Sequence, residues 1–517
     1  MEIQAEIPFE KLNVLSKISK DFISAGPNFS FGNNFSEEKI LAELDAMNFS
    51  LNHREVLVEA LQEQYASVNL NVPNAVELLK DSKTYTITTG HQLCLFTGPL
   101  YMVYKIATVI KMSSNLKRTY PDYNFVPVFW MASEDHDFEE ASKVNVQNKP
   151  IIWKDDPQGA VGRMSIEKLK DSANELAAVV GINGEEFVSL VNDSLDAKDV
   201  AASYHKLIHS LFGDKIVILD ADYKSLKALF IETAINDLKG DTIKKLLKTN
   251  EKLTENGYSP QVNGREINLF WLKDGSRERI VKKGEGFQVL GSDKVYSLQE
   301  MTRLFRAEPE SVSPNVILRP VYQQIILPNL VYVGGGGEIA YWLQLKDVFN
   351  SLGVHYPMLQ VRASFIIMRE KWLLKWTELG FSFEDLFRPK EDLMKEFVVN
   401  NQGVPFEKER QKFDLLVGEL KQEALKVDKN MAQGIDADIT KMYKGMDKLE
   451  KRISKTMKNA NKATNERIER ILGMVYPNGN LQERYSSIFD MFSSPDEVAS
   501  IIEFADPTNN SMKIMKY

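Results

Sequence analysis

Apolar positions in the first eighty residues recur at steps of three and four, as in SEEKILAELDAMNFSLNHREVLVEALQEQYASV, where SEEK also has the form of a helix amino-terminal cap. This predicts a helical lead-in. The pattern then changes to short β-branched or apolar runs separated by helical spacing: TYTITT at 84–89, FVPVFWMA at 125–132, KIVILD at 215–220, LVYV at 330–333 and MLQVRASFII at 358–367. Strands alternating with helices predict a mainly parallel sheet with crossover helices, an α/β, Rossmann-like core. The runs are unevenly spaced, and the intervals at about 138–214 and 223–314 read as insertions. The second, with INLFWLKDGSRERIVKKGEGFQVL, carries the strand and turn signals of a small β-rich unit.

From about residue 405 glycine and proline become scarce, and Phe413, Leu416, Leu420, Ala424, Val427 and Met431 follow steps of three and four. After a break at Gly434 the stripe continues through Ile435, Ile439, Met442, Met446, Leu449 and Ile453. Two helices folded back as an antiparallel coiled coil would bury that stripe and leave the many lysines in water. The lysines of KMYKGMDKLEKRISKTMKNANK accordingly read as a solvated helix face and not as a nucleic-acid surface. The expected organisation is a core over 1–400, a coiled coil over 401–472, and a return segment over 473–517 that turns at YPNGNLQER and docks on the core.

Composition narrows this picture without changing it. With 43% hydrophobic and 26% charged residues the 517-residue chain has ordinary globular usage. A net charge of −8 argues against broad attachment to nucleic acid or anionic membrane. MEIQAEIPFEKLNVL lacks a basic leader, and no later run reaches the roughly 18 apolar residues of a membrane span, so the expectation is a cytoplasmic protein. The single cysteine, Cys94, cannot form an internal disulfide or a thiolate zinc site alone, and reads as a small buried hydrophobe.

Three clusters could carry chemistry. In TYTITTGHQLCLFTGPLYMVYK, Thr97 and Gly98 sit at a helix cap, Pro99 suits the first turn, and Tyr101, Tyr104 and Lys105 follow on the early turns. The N–H groups of such a helix start form an anion site, although neither a P-loop nor a GxGxxG fingerprint is present. In FVPVFWMASEDHDFEE, Glu134, Asp135, His136 and Asp137 end a strand, at the sheet edge where open α/β folds bind ligands. A carboxylate beside a histidine can tune a general base or hold a metal; the competing reading is a hydrophilic loop with helix-capping acids. In LRPVYQQIILPNLVYVGGGGEIAYWLQL, four glycines at 334–337 admit a close ligand, Glu338 falls in the following first turn, and Arg319 and Gln323 lie upstream. An arginine there pairs with a ligand's carboxylate or phosphate, or with a structural partner. HKLIH at 205–209 lacks the glutamate of a zinc-protease helix, and KMSS and RISKT fall inside helical patterns, so these are set aside.

Taken together, TTGHQLCLFTGPLYMVYKI, VPVFWMASEDHDFEE, RPVYQQIILPNLVYVGGGGEIAYWLQLKDVF and YPNGNLQER, in this order and with a coiled-coil pattern between the last two, resemble the cysteine-adding enzymes of bacillithiol biosynthesis. The resemblance runs from about residue 1 to about 510. It implies a Rossmann-type core with connecting-peptide insertions, similar to class I synthetases and nucleotidylyltransferases, an antiparallel coiled coil, and a homodimer. The implied reaction joins the carboxyl of cysteine to the amine of glucosaminyl malate as an amide. ATP is the expected activating co-substrate, with Mg2+ accompanying it and no metal-ligand motif in the chain. GPLYMVY stands where synthetases often carry GPLHIGH, so Tyr101 and Tyr104 replace histidines and bring no positive charge. The site expected from this resemblance has Glu134, Asp135, His136 and Lys105 as its catalytic set, the first three orienting the sugar amine and accepting its proton. Lys105 with His91, Gln92, Thr97, Gly98 and Tyr101 would hold an anionic part of substrate or nucleotide; Asp137, Arg319, Gln323, Gly336 and Glu338 would complete the crevice. Asn478, Gln482 and Glu483 would form a second pocket, and Cys94 is not a nucleophile. The alternatives are a nucleotidylyltransferase of another substrate and a non-catalytic coiled-coil scaffold.

Overall fold

The computed structural model describes residues 1–26, 29–157, 159–273, 275–402, 407–428 and 431–517. It divides into two compact units, one formed by 3–367 with 480–515, the other by 368–479 with the chain's extreme ends. The helical unit therefore begins at Met368, taking in the stretch to residue 400 that the sequence reading places in the core.

The first unit is built on five strands: β1 (Thr84–His91), β2 (Asn124–Met131), β3 (Val217–Asp220), β4 (Asn329–Gly334) and β5 (Met358–Val361). They lie in the order β5-β4-β1-β2-β3, with every neighbour parallel. Read from the other edge this is 3-2-1-4-5, the Rossmann order. β1 is buried along Thr84–Gly90, as a central strand covered on both faces must be, which is why TYTITT is an unbroken β-branched run. Pro127 is tolerated inside β2 because β3 joins only from Val128 onward. Crossover helix α1 (Leu100–Thr119) buries Met102–Ile110 almost without interruption.

The first insertion forms a hairpin, Lys143–Val146 with Lys149–Ile152, followed by three helices, Leu169–Val180, Glu185–Ser194 and Val200–Phe212. His205 packs edge-on against Tyr65, a buried aromatic contact. The second insertion includes helix α2 (Lys224–Asp237) and a five-stranded antiparallel sheet that contains Leu269–Lys273, Ser276–Lys283 and Val312–Pro314. Helices α3 (Arg319–Ile326) and α4 (Gly336–Trp342) flank β4. The run MLQVRASFII is two strands: β5, and Ser364–Met368 in a three-stranded sheet with Glu2–Pro8 and Ser511–Lys516. Arg362 breaks it, because its guanidinium turns inward to a buried carboxylate.

In the second unit α5 (Glu407–Val427) and α6 (Met431–Ala460) run antiparallel, as three pairings show: Arg410 with Glu450 at 2.8 Å, Phe413 with Tyr443 at a 5.2 Å ring separation, and Lys421 with Asp436 at 2.6 Å. Gly434 lies inside α6, so the helix is not broken at that residue. The hairpin buries Val417, Ala424 and Ile439 but leaves Leu416 47% and Leu449 51% exposed, so two helices do not cover the whole stripe.

Candidate functional site

The carboxyl ends of the parallel strands converge on a cavity of about 810 Å³ within the first unit. That is the edge where open α/β sheets hold ligands, and the volume suits small molecules. One wall comes from the exit of β2, from α3 and from the antiparallel insertion sheet; the other comes from the exits of β1, β4 and β5.

At the β2 exit the chain turns sharply, with the Asp135 N–H donating to Ala132 O at 3.1 Å, and Asp137 then caps the short helix Phe138–Ala141 by accepting from the Glu140 N–H at 3.2 Å. This turn points successive side chains opposite ways. Asp135 faces the cavity, where its Oδ2 accepts from Arg319 Nη1 at 3.1 Å and from Gln92 Nε2 at 3.2 Å, and its Oδ1 from the His136 N–H at 2.8 Å. Burial pushes its carboxyl up, but Arg319 and Arg277 with these hydrogen bonds outweigh that and hold it well below the usual range. Asp135 is thus a fixed anion and a poor base. His136 is half exposed, its side chain 49% accessible, and burial followed by the Arg277 charge lowers its affinity for a proton.

Glu134 turns the other way. It is buried and pairs with Lys227 Nζ of α2 at 2.5 Å, and the same ammonium pairs with Asp222 at 2.7 Å and donates to Glu310 O at 2.9 Å. Arg163 completes the network with a two-pronged pairing to Asp222 at 2.6 and 2.8 Å. Glu134 does not line the cavity, so it supports the site from below instead of handling the substrate amine.

At the β1 exit, His91 and Gln92 line the cavity. His91 Nδ1 donates to Gln92 O at 2.9 Å, which leaves Nε2 to accept the Tyr101 hydroxyl at 3.0 Å. Burial, then the Lys105 charge, pushes His91 down to about 4, so it is neutral at pH 7. Lys105 is buried beneath the floor, donating to Gly90 O and pairing with Glu338 Oε2 at 2.7 Å. Glu338 also accepts from the Tyr332 hydroxyl at 2.8 Å and the Gly335 N–H at 3.0 Å. Lys105 is therefore already neutralised, and Glu338 is the member of this pair that reaches the cavity.

The helix start expected to bind an anion is closed. The Leu100 N–H donates to Ser486 O at 2.9 Å, and neither Thr97 nor Gly98 lines the cavity. Gly98 has φ +64, and a Cβ there would lie 2.6 Å from that of Cys94, so the glycine answers to the turn. Thr97 is buried, also at positive φ. Cys94 is buried, which pushes its thiol up to about 12 and makes it a poor nucleophile.

Gln323 lines the cavity from α3, with its Oε1 lacking a partner among the described residues. Gly336 packs instead against the amino-terminal segment, its carbonyl accepting from Ser19 Oγ at 2.8 Å and Leu15 occupying the space of a Cβ, while Gly335 and Gly337 face the cavity. The expected second pocket is a clasp: Gln482 Oε1 accepts from the Ile367 N–H at 2.8 Å, and Glu483 grips Arg362 at 2.6 and 2.8 Å. The space beside Glu483 is about 10 Å³, room for a single water. Asn478 belongs to the helical unit, at φ 50.

The sequence reading missed five charged contributors to the cavity: Glu140, Arg265, Arg277, Arg362 and Arg484. Arg362 had a visible signal, a lone charge in the apolar run MLQVRASFII. Arg265 and Arg484 are exposed and have no carboxylate partner among the described residues.

Residues 2–363 match the family model described as "Bacillithiol biosynthesis BshC, N-terminal Rossmann-like domain", and residues 365–517 match "Bacillithiol biosynthesis BshC, C-terminal coiled-coil domain". Similar proteins named "Putative cysteine ligase BshC" occur in Flavobacterium psychrophilum, 37% identical with 99% of both chains covered, and Flavobacterium johnsoniae, 37% identical with 95% of both covered. Another of that name, from Christiangramia forsetii, is 34% identical with 99% of this chain and 98% of the other covered. Among the described residues no helix is long and apolar enough to cross a membrane.

Proposed function

The chain belongs to the bacillithiol biosynthesis BshC family, and on that premise we propose that it is a ligase joining the carboxyl of cysteine to the amine of glucosaminyl malate, with ATP as the activating co-substrate. The observation that carries this reading is the strand-end cavity, in which a fixed anion, two neutral histidines and several arginines surround a space sized for small reactants. A free carboxylate does not acylate an amine unaided, and a mixed anhydride with phosphate is the form ATP supplies.

Lys105 does not fit the role of phosphate-binding cation, because Glu338 already neutralises it. Arg265 and Arg484 fit better: they are exposed, lack carboxylate partners among the described residues, and would meet the carboxylates or phosphates of the reactants. In this reading Mg2+ enters with the nucleotide. The protein acts in the cytoplasm, where cysteine and ATP are both at hand, and works as a homodimer through α5 and α6. The apolar positions that a single hairpin leaves exposed support that assembly.

Incubation with cysteine, glucosaminyl malate and ATP, followed by mass spectrometry of the thiol product and assay of AMP and ADP, tests the reading. The expected result is amide product with AMP, lost when ATP is withheld. Pyrophosphate release that does not depend on cysteine would instead indicate a nucleotidylyltransferase.

A further inference from the structure

Arg277 lines the cavity, and each of its three guanidinium nitrogens has a hydrogen-bond partner. It lies on the Ser276–Lys283 strand of the insertion sheet and is buried, its guanidinium stacked 4.0 Å over the Phe270 ring. Nε donates to Ser313 Oγ at 3.0 Å and Nη2 to Pro314 O at 2.9 Å, which fixes the plane of the fork. The remaining nitrogen, Nη1, lies 2.8 Å from Nδ1 of His136, whose ring also packs on Phe270 at 5.5 Å. A guanidinium has only donors, so Nδ1 must be the acceptor and the imidazole proton must sit on Nε2.

We propose that Arg277 is a positioning residue that locks His136 as the neutral Nε2–H tautomer, so that His136 acts in the ligase reaction as a hydrogen-bond donor and not as the base. This rests on the ligase reading. As the amine nitrogen's lone pair forms the C–N bond to the activated acyl carbon, the carbonyl π pair moves to oxygen, and His136 Nε2–H hydrogen-bonds that oxyanion without giving up its proton. The surplus amine proton passes to Glu140, whose carboxylate lines the same cavity. The intermediate then collapses, expelling the phosphate side of the mixed anhydride with the bonding pair. The groups facing His136 agree with this assignment. Arg277 and Arg319 oppose a second positive charge, and burial outweighs the opposing pull of Asp135 and Asp137. Glu140 is suited to take a proton because burial, then Asp137 and Asp135, raise its carboxyl.

The test reads the tautomer without substrate, so it stands or falls apart from the ligase reading. The chain has six histidines, and imidazole 15N spectra of the full-length protein, assigned by comparison with His136→Gln, resolve them. The expected spectrum shows His136 neutral with its proton on Nε2 at pH 7, shifting toward Nδ1–H or imidazolium in Arg277→Gln. In the ligase assay His136→Gln, whose amide keeps an N–H at that place, should retain about tenfold more kcat than His136→Ala. Arg277→Lys should recover part of the kcat lost in Arg277→Gln, with KM little changed. Imidazolium or an Nδ1–H tautomer in the parent protein, or an unchanged His136 signal in a folded Arg277→Gln, would overturn the proposal, as would equal kcat in His136→Gln and His136→Ala.

Discussion

Glu134 and Asp135 are neighbours at the end of one strand, carry the same charge, and have opposite employment. Glu134 turns into the protein against Lys227 and Asp222, a set of charges that satisfy one another away from water. Asp135 turns into the cavity, where Arg319, Gln92 and two backbone N–H groups hold it but the wall around it stays open. The lesson is that a buried ion network and a reactive one are built from the same residues. The difference lies in whether space for a ligand remains beside them. The same contrast recurs across the floor, where Lys105 is consumed by Glu338 while Glu338 still reaches the cavity.

The two networks are expected to fail differently. Lys227→Met leaves Glu134 buried without its cation and Asp222 with Arg163 alone, and urea unfolding should show a loss of about 3–5 kcal/mol, the largest effect expected at any single position here. Arg319→Ala should cost less stability than that, because Asp135 keeps Gln92 and its N–H donors, while ligase kcat/KM falls about 100-fold. Equal stability losses in the two variants would erase the distinction.

Cys94 is the opposite case, close to the cavity yet outside its chemistry. Cys94→Ala should leave ligase activity within about twofold, and iodoacetamide at pH 8 should label the unfolded protein far faster than the folded one, since burial keeps the thiol protonated. The smallest expected effect concerns Asp220, at the edge of the buried network. Burial and Asp222 raise its carboxyl to about 7, against roughly 3.9 in an unfolded chain. Between those values the folded state holds the extra proton, so raising the pH through this window removes stability. Asp220→Asn can still accept from the Ser133 hydroxyl and the Asp222 N–H, so its stability advantage over the parent should grow from pH 5 to pH 8 in urea unfolding.

Much of the core could be read from the chain because its signals are local. The β-branched run at 84–89, the apolar runs at 125–132 and 330–333, and the two halves of the stripe from Phe413 to Ile453, one on each helix, follow from patterns within single elements. The site was legible as three strand ends and no further. Nothing in SEDHD says which acid turns inward, since that depends on Lys227, ninety-three positions on from Glu134, and Arg277 meets His136 across 141 positions. The helix start at Leu100 looked open because the carbonyl that closes it belongs to Ser486. Arg362 was the one missed residue that its neighbourhood advertised.

Amide formation in the strand-end cavity, as proposed, is read out by bacillithiol content in cells lacking the native enzyme. The parent chain and Cys94→Ala should restore the thiol to similar levels, while Arg319→Ala and His136→Ala, expressed at equal abundance, should restore little or none. Restoration by Arg319→Ala and His136→Ala at the parent's level would place the chemistry elsewhere in the molecule.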